Sequence, residues 1–242
     1  MTKPRITFLV ILLALVSAGV IWFAFAHDQT VRDAVVKTHG KEWKNTADYT
    51  FYAVVRQYGD WPELMLAGAI GLLAAWKIRN REWMRILTAA MIASTLAGII
   101  TNTSRLTTGR TRPRESPKLE QGFYGPWHDG HLTIGDSRYN SFPSGHTATA
   151  FGFAGVILFA SPWLGVGALI LATLIAWSSV IIGAHHPSDV TVSAIVSLLV
   201  AWFTWQWVQR KGGWAWVAVR RRIRQAAGRD TQSPPVNDGH LL

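Results

Sequence analysis

Three clusters of polar residues interrupt an otherwise apolar chain, and their residue types suit phosphate chemistry. The first is Pro143-Ser144-Gly145-His146, directly ahead of an apolar run that begins at Thr147. Proline fixes the chain before the turn, and glycine lets a ligand approach the backbone closely. A helix that starts here points unpaired N–H groups and its positive dipole end at whatever binds. The hydroxyl of Ser144 and the imidazole of His146 complete an anion site with a proton donor. Pro-Ser-Gly alone is also an ordinary way to cap a helix, and it gains meaning from the two clusters that accompany it.

The second cluster runs from Ser178-Ser179 to Gly183-Ala184-His185-His186-Pro187-Ser188-Asp189. His186 precedes a proline and is pushed out of the α region, so one helix ends near His185 and another starts at Pro187. Asp189, in the first turn of that second helix, is placed to reach back to His185. A carboxylate on one imidazole nitrogen fixes the tautomer and leaves the other nitrogen to act as a nucleophile. The third cluster puts Arg105, Arg110, Arg112 and Arg114 within ten residues. Guanidinium groups suit bidentate contacts to phosphate oxygens.

The elements that position these clusters are membrane helices. Of 242 residues, 49% are hydrophobic and only 16% charged, and 13 are tryptophan. The apolar residues fall in runs: Ile6–Ala26, Trp61–Trp76, Trp83–Ile100, Thr147–Ala160, Trp163–Ala184 and Val190–Val208. A spanning helix needs about 20 residues, within roughly 17 to 25. Six spans give the best count, with a hairpin at Ser161-Pro162 between the fourth and fifth. The expected fold is an all-α integral membrane bundle over residues 1–229, with outer loops at 28–60 and 104–142. A polar, proline-containing tail over 230–242 reads as disordered. Ala24-Phe25-Ala26 resembles a signal cleavage site, but the run before it exceeds the roughly 7–15 residues of a signal core, so a retained helix is expected. Zero cysteines exclude a disulfide scaffold and thiol chemistry.

The formal charge of +10 does not call for nucleic acid. With both termini inside, the inner segments hold 13 of the 24 Lys and Arg and three of the 14 acids, while the outer segments balance. The whole excess lies on one side, as the positive-inside rule requires. The basic cluster at 220–224 then reads as an inner flank attracted to anionic lipid. On this topology all three polar clusters emerge on the outer, periplasmic face of a bacterial-type inner membrane. Ionisable groups collected at a bundle end carry a functional expectation.

The clusters together resemble the three-part signature of the type 2 phosphatidic acid phosphatase superfamily, which is related to the vanadium haloperoxidases. Arg105-x6-Arg112-Pro113 matches the first part with arginine in place of lysine. Pro143-Ser144-Gly145-His146 matches the second fully. Ser178-Ser179-x5-His185-x3-Asp189 matches the third, except that Ser179 stands where the family has arginine.

The resemblance implies that His185 attacks phosphorus to form a phosphohistidine, that Asp189 orients it, and that His146 protonates the leaving oxygen and then activates water. It implies that Arg105, Arg112, Ser144 and the Gly145 N–H hold the phosphoryl oxygens, without metal or other cofactor. Arg138, and after it Arg110, are the expected replacements for the cation missing at Ser179; His186 is a third candidate. Residues 28–60 read as a surface segment without chemistry.

The expected activity is removal of phosphate from a lipid phosphate or diphosphate. Undecaprenyl diphosphate, phosphatidic acid, phosphatidylglycerol phosphate and the lipid A 1-phosphate all suit such a site. The alternatives are a lipid-to-lipid phosphotransferase and, because of Ser179, a weakened lipid-phosphate binding or transport protein.

Overall fold

The computed structural model describes residues 3–38, 43–116 and 118–229, with side chains placed between 7 and 210. Seven α-helices make up the described chain: α1 (Lys3–Thr38), α2 (Ala47–Gln57), α3 (Trp61–Lys77), α4 (Arg81–Thr108), α5 (Gly145–Ala160), α6 (Pro162–Ile181) and α7 (Pro187–Arg229). Five of the six apolar runs lie within one of them, and the fifth run, Trp163–Ala184, continues three residues beyond the end of α6. Four are long and apolar enough to cross a membrane: α1 over Thr7–Thr38, α4, α6, and α7 over Pro187–Arg210. The helices α3 and α5 are shorter, at 17 and 16 residues. The chain falls into two compact units, Met1–Trp205 and Gln206–Leu242. All three polar clusters belong to the first. The second continues α7 to Arg229; the expected tail at 230–242 and the side chains of the 220–224 cluster lie outside the described residues.

Local sequence sets the helix ends. Asn80 caps α4 by accepting the Trp83 N–H at 3.1 Å, and α4 stops at Gly109, which takes a left-handed φ of 54°. Pro162 opens α6 one residue after α5 closes, so Ser161 ends one helix and begins the next. This is the expected hairpin.

Small residues bring the bundle together. Ala89, Ala90, Ala93 and Ala97 of α4 are fully buried, and they face an α5 that carries Ala148, Gly152 and Ala154. A Cβ on Gly152 would lie 2.9 Å from the Ala93 carbonyl oxygen, so only glycine permits this backbone-to-backbone approach. Large apolar side chains such as Phe8, Leu13, Trp22, Leu66, Trp163 and Phe203 point outward instead. Lipid rather than protein is the solvent such a surface requires.

Residues 28–60 depart from the expectation of an outer loop. The helix α1 continues past its apolar run to Thr38, held by the buried side chains of Asp28 and Val35. Thr46 then caps α2 by accepting the Tyr49 N–H at 3.2 Å, and α2 packs against α6. Thr149 of α5 donates to the Gly59 carbonyl at 2.5 Å and fixes the corner between α2 and α3 to the start of α5.

The loop 109–142 folds over the same end of the bundle. It carries a two-residue antiparallel pair, Trp127–His128 with His131–Leu132. Bridges from Arg110 to Phe123 and to Asn140 hold it together. The Arg114 N–H donates to the Gly183 carbonyl at 3.0 Å, which ties the loop to the α6–α7 junction.

Candidate active site

His185 is fully buried at the α6–α7 junction. Its Nδ1 lies 2.7 Å from the Ser141 carbonyl oxygen, which can only accept, so the proton sits on Nδ1. Nε2 is buried, has no hydrogen-bond partner, and therefore presents its lone pair. Burial pushes the imidazole pKa down to about 3, and the nearby charges of Arg105 and Arg112 act in the same direction. The ring is neutral, and nucleophilic, at ordinary pH.

Asp189 is not the principal partner of this ring. Its Oδ2 lies 3.7 Å from His185 Nδ1, beyond hydrogen-bond range. The carboxylate instead accepts from Ser141 Oγ at 2.5 Å and from the His186 N–H at 2.7 Å, and pairs with Arg110. Asp189 thus clamps Ser141, whose carbonyl orients the ring, to the segment that carries His185. His186 faces away, with Nε2 3.2 Å from the Thr111 carbonyl oxygen.

His146 occupies the first turn of α5. Its Nε2 lies 2.7 Å from Asp60 Oδ1, and its Nδ1 lies 3.1 Å from Arg56 Nη2. Since the guanidinium can only donate, neutral His146 carries its proton on Nε2 and accepts at Nδ1. The hydrogen bond from His146 holds the Asp60 carboxyl below its ordinary pKa. Neither Asp60 nor Arg56 was anticipated, because 28–60 was read as lacking chemistry. The available signal was a pair of charges four residues apart, immediately before an apolar run.

Arg105 and Arg112 both enter the site. Arg105 donates from Nε to the Pro143 carbonyl at 2.8 Å and from Nη1 to Asn102 Oδ1 at 3.1 Å. A Cβ on Gly145 would lie 2.9 Å from Arg105 Nη2, so the glycine makes room for the guanidinium. Arg112 Nη2 is 3.4 Å from the Asn140 carbonyl oxygen, while its Nε is buried without a partner. Burial, with Arg114, Arg105 and Arg56 nearby, lowers the Arg112 pKa to about 10, so it stays cationic. Ser144 is buried; its N–H donates to Ser193 Oγ at 2.7 Å and its hydroxyl accepts from Thr147 at 2.9 Å. Its side chain does not cap α5. The first N–H groups of that helix therefore lack a side-chain acceptor and suit an anion.

The two expected replacement cations are engaged elsewhere. Arg138 grips Asp136 through Nε at 2.9 Å and Nη2 at 2.6 Å, and its side chain is half exposed. Arg110 is buried beneath the site. It pairs with Asp189, with Asp28 at 2.6 Å and with Ser188 Oγ at 2.6 Å, among the rings of Phe25, Phe123 and Phe142. Asp28 also accepts from the Ser188 N–H at 2.9 Å and hydroxyl at 2.5 Å. Among the described residues, no three His, Cys, Asp or Glu side chains gather as a metal ligand set.

Known proteins resemble this chain in sequence and in fold. A lipid A 1-phosphatase of Porphyromonas gingivalis is 30% identical over 129 residues, which cover 52% of this chain and 24% of that protein. This chain thus matches about a quarter of that relative's length. The undecaprenyl-diphosphatase BcrC of Bacillus subtilis is 26% identical over 162 residues, 67% of this chain and 76% of that protein. The fold resembles the crystal structure of a transmembrane PAP2-type phosphatidylglycerolphosphate phosphatase from Bacillus subtilis. The TM-score is 0.52 at 18% identity, covering 87% of this chain and 98% of that one. Residues 83–213, which contain all three polar clusters, match the PAP2 superfamily, and the chain belongs to it.

Proposed function

We propose that this protein is a metal-independent lipid phosphatase that removes phosphate from a lipid phosphate or diphosphate at the outer leaflet of a bacterial inner membrane. The observation that carries the reading is His185. It is a buried neutral imidazole with one nitrogen held by a carbonyl and the other without a partner, in the field of two cationic guanidiniums.

His185 Nε2 attacks phosphorus, and the bond from phosphorus to the lipid oxygen breaks. His146, as the imidazolium supported by the Asp60 carboxylate, gives that oxygen its proton. A water molecule then attacks the phosphohistidine, losing a proton to His146. Inorganic phosphate leaves, and His185 is restored. Arg105, Arg112 and the N-terminal N–H groups of α5 stabilise the equatorial oxygens. Fixed donors of this kind are the largest contribution a protein makes to phosphoryl transfer. The guanidiniums bring the positive charge that a divalent ion brings to other phosphatases.

The relatives act on lipid A phosphate and undecaprenyl diphosphate by name, which supports a membrane lipid as substrate. The test is phosphate release by the purified protein from a panel of undecaprenyl diphosphate, phosphatidic acid, phosphatidylglycerol phosphate and lipid A, with excess chelator present. Release from at least one lipid is expected. Release only after addition of a divalent ion would contradict the mechanism. Transfer to a second lipid without phosphate release would make the protein a phosphotransferase, and binding without either would make it a carrier.

A further inference from the structure

Sorting the arginines near the site by their partners separates two groups. Arg110, Arg114 and Arg138 each pair with a carboxylate. Arg56, Arg105 and Arg112 have no carboxylate ion-pair partner among the described residues, although all three are only partly exposed at most. They are also close enough for Arg105 and Arg112 each to feel the charge of Arg56. Asp60 and Asp189 offset part of the charge on Arg56 and Arg105 without pairing with them, and three guanidiniums gathered in a partly desolvated place still favour an anion that joins them. Moreover, Arg56 Nε and Arg112 Nε are both buried donors without an acceptor. A buried donor left unsatisfied is costly, and an oxygen of a bound ligand would satisfy it.

The position of Arg56 follows from the element that carries it. It lies in the last turn of α2, which packs against α6. Beyond it, Gly59 sits so close to α6 that a Cβ there would lie 2.4 Å from Ile175 Cγ2 and would also crowd the His146 carbonyl at 3.1 Å. Ser179 lies on α6 itself, six residues before His185. Its hydroxyl donates to the Ile175 carbonyl at 3.0 Å, and its own carbonyl accepts the His185 N–H at 3.2 Å. The α6 position at which the superfamily signature supplies a cation is therefore uncharged, while the neighbouring helix supplies one.

We propose that Arg56 is the third guanidinium that contacts the phosphoryl group, delivered from α2 in place of a cation at Ser179. Arg56 Nη2 lies 3.1 Å from His146 Nδ1. With phosphate bound, the Arg56 donors turn to the phosphoryl oxygens and free His146 Nδ1 to carry the proton that the leaving oxygen receives. The inference rests on the phosphatase reading, and two readouts keep them distinct: phosphate release from lipid, and inhibition or thermal stabilisation by vanadate, an inert phosphoryl mimic.

Arg56→Ala should lower kcat/KM by about 10²–10³, the usual cost of one lost donor in such a site. It should weaken vanadate inhibition by about tenfold or more, as loss of a charge-assisted contact requires. Arg56→Ala combined with Ser179→Arg should recover about tenfold or more of the lost rate, since the charge is restored from α6. Should Arg56→Ala fail to fold, Arg56→Lys carries the test, because it keeps the charge but not the fork and should weaken vanadate by about threefold or more. Unchanged kcat/KM, or a lost rate with unchanged vanadate affinity, would overturn the proposal; the second result would mean that Arg56 acts only through His146. If wild type releases no phosphate from any lipid, the phosphatase reading fails. Vanadate stabilisation present in wild type and lost in Arg56→Ala would still support Arg56 as an anion ligand, and equal stabilisation of both would overturn it.

Discussion

A histidine acts as a nucleophile when one nitrogen is held and the other is bare, and His185 meets both conditions through a backbone carbonyl. Asp189 contributes one step further out, by holding the residue that offers the carbonyl. His146 has the carboxylate contact that His185 lacks, since Asp60 sits 2.7 Å from its Nε2. If that carboxylate supports the imidazolium, Asp60→Asn keeps the hydrogen bond and removes only the charge. It should lower kcat on a lipid phosphate by about 10²-fold, within the range of general acid catalysis. On p-nitrophenyl phosphate, whose leaving group needs little protonation, the loss should be much smaller. Equal losses on both substrates would show that Asp60 serves the fold and not proton transfer.

Three elements meet at Arg110. The side chain leaves the loop after α4, pairs with Asp28 of α1 and Asp189 of α7, and is walled in by three aromatic rings. Removing one partner of a buried ion pair costs about 3–5 kcal/mol, because the other charge is left uncompensated. Arg110→Ala strands two carboxylates and should lose at least that much, measured by denaturation in detergent. Arg110→Lys should restore only part of it, since one ammonium cannot bridge both as a fork does. A loss under about 1 kcal/mol would contradict this role.

The same network shows what the sequence could and could not convey. His185, His146, Arg105 and Arg112 were legible as candidates because each sits in a short run whose residue types and spacing already suit phosphate. The six apolar runs likewise gave the helices that carry them. Partners that meet only in three dimensions were not legible: Asp28 and Ser188 are 160 positions apart, and Arg56 and His146 are 90. Arg138 and Arg110 are of the right type and lie near the right motifs. Their carboxylates, Asp136 and Asp28, decide where their charge is used, and sequence proximity does not contain that information. The helix α2 was missed because it is short and amphipathic, with no long apolar run to announce it.

At the scale of the whole molecule, the candidate site sits at one end of the bundle, on the face proposed to lie outside. With no native cysteine, the chain can report its own orientation through single introduced thiols. His131→Cys, exposed in the loop over the site, should react with a membrane-impermeant maleimide on intact spheroplasts. Lys77→Cys, exposed at the end of α3, should react only after permeabilisation. The reverse pattern would place the site in the cytoplasm. The covalent step at His185 can be followed directly. Wild-type protein mixed with 32P-labelled lipid phosphate and quenched rapidly should carry acid-labile, base-stable label that maps to the peptide containing His185. His185→Ala should carry none and release no phosphate. Normal phosphate release by His185→Ala, or label retained on that variant, would contradict the account.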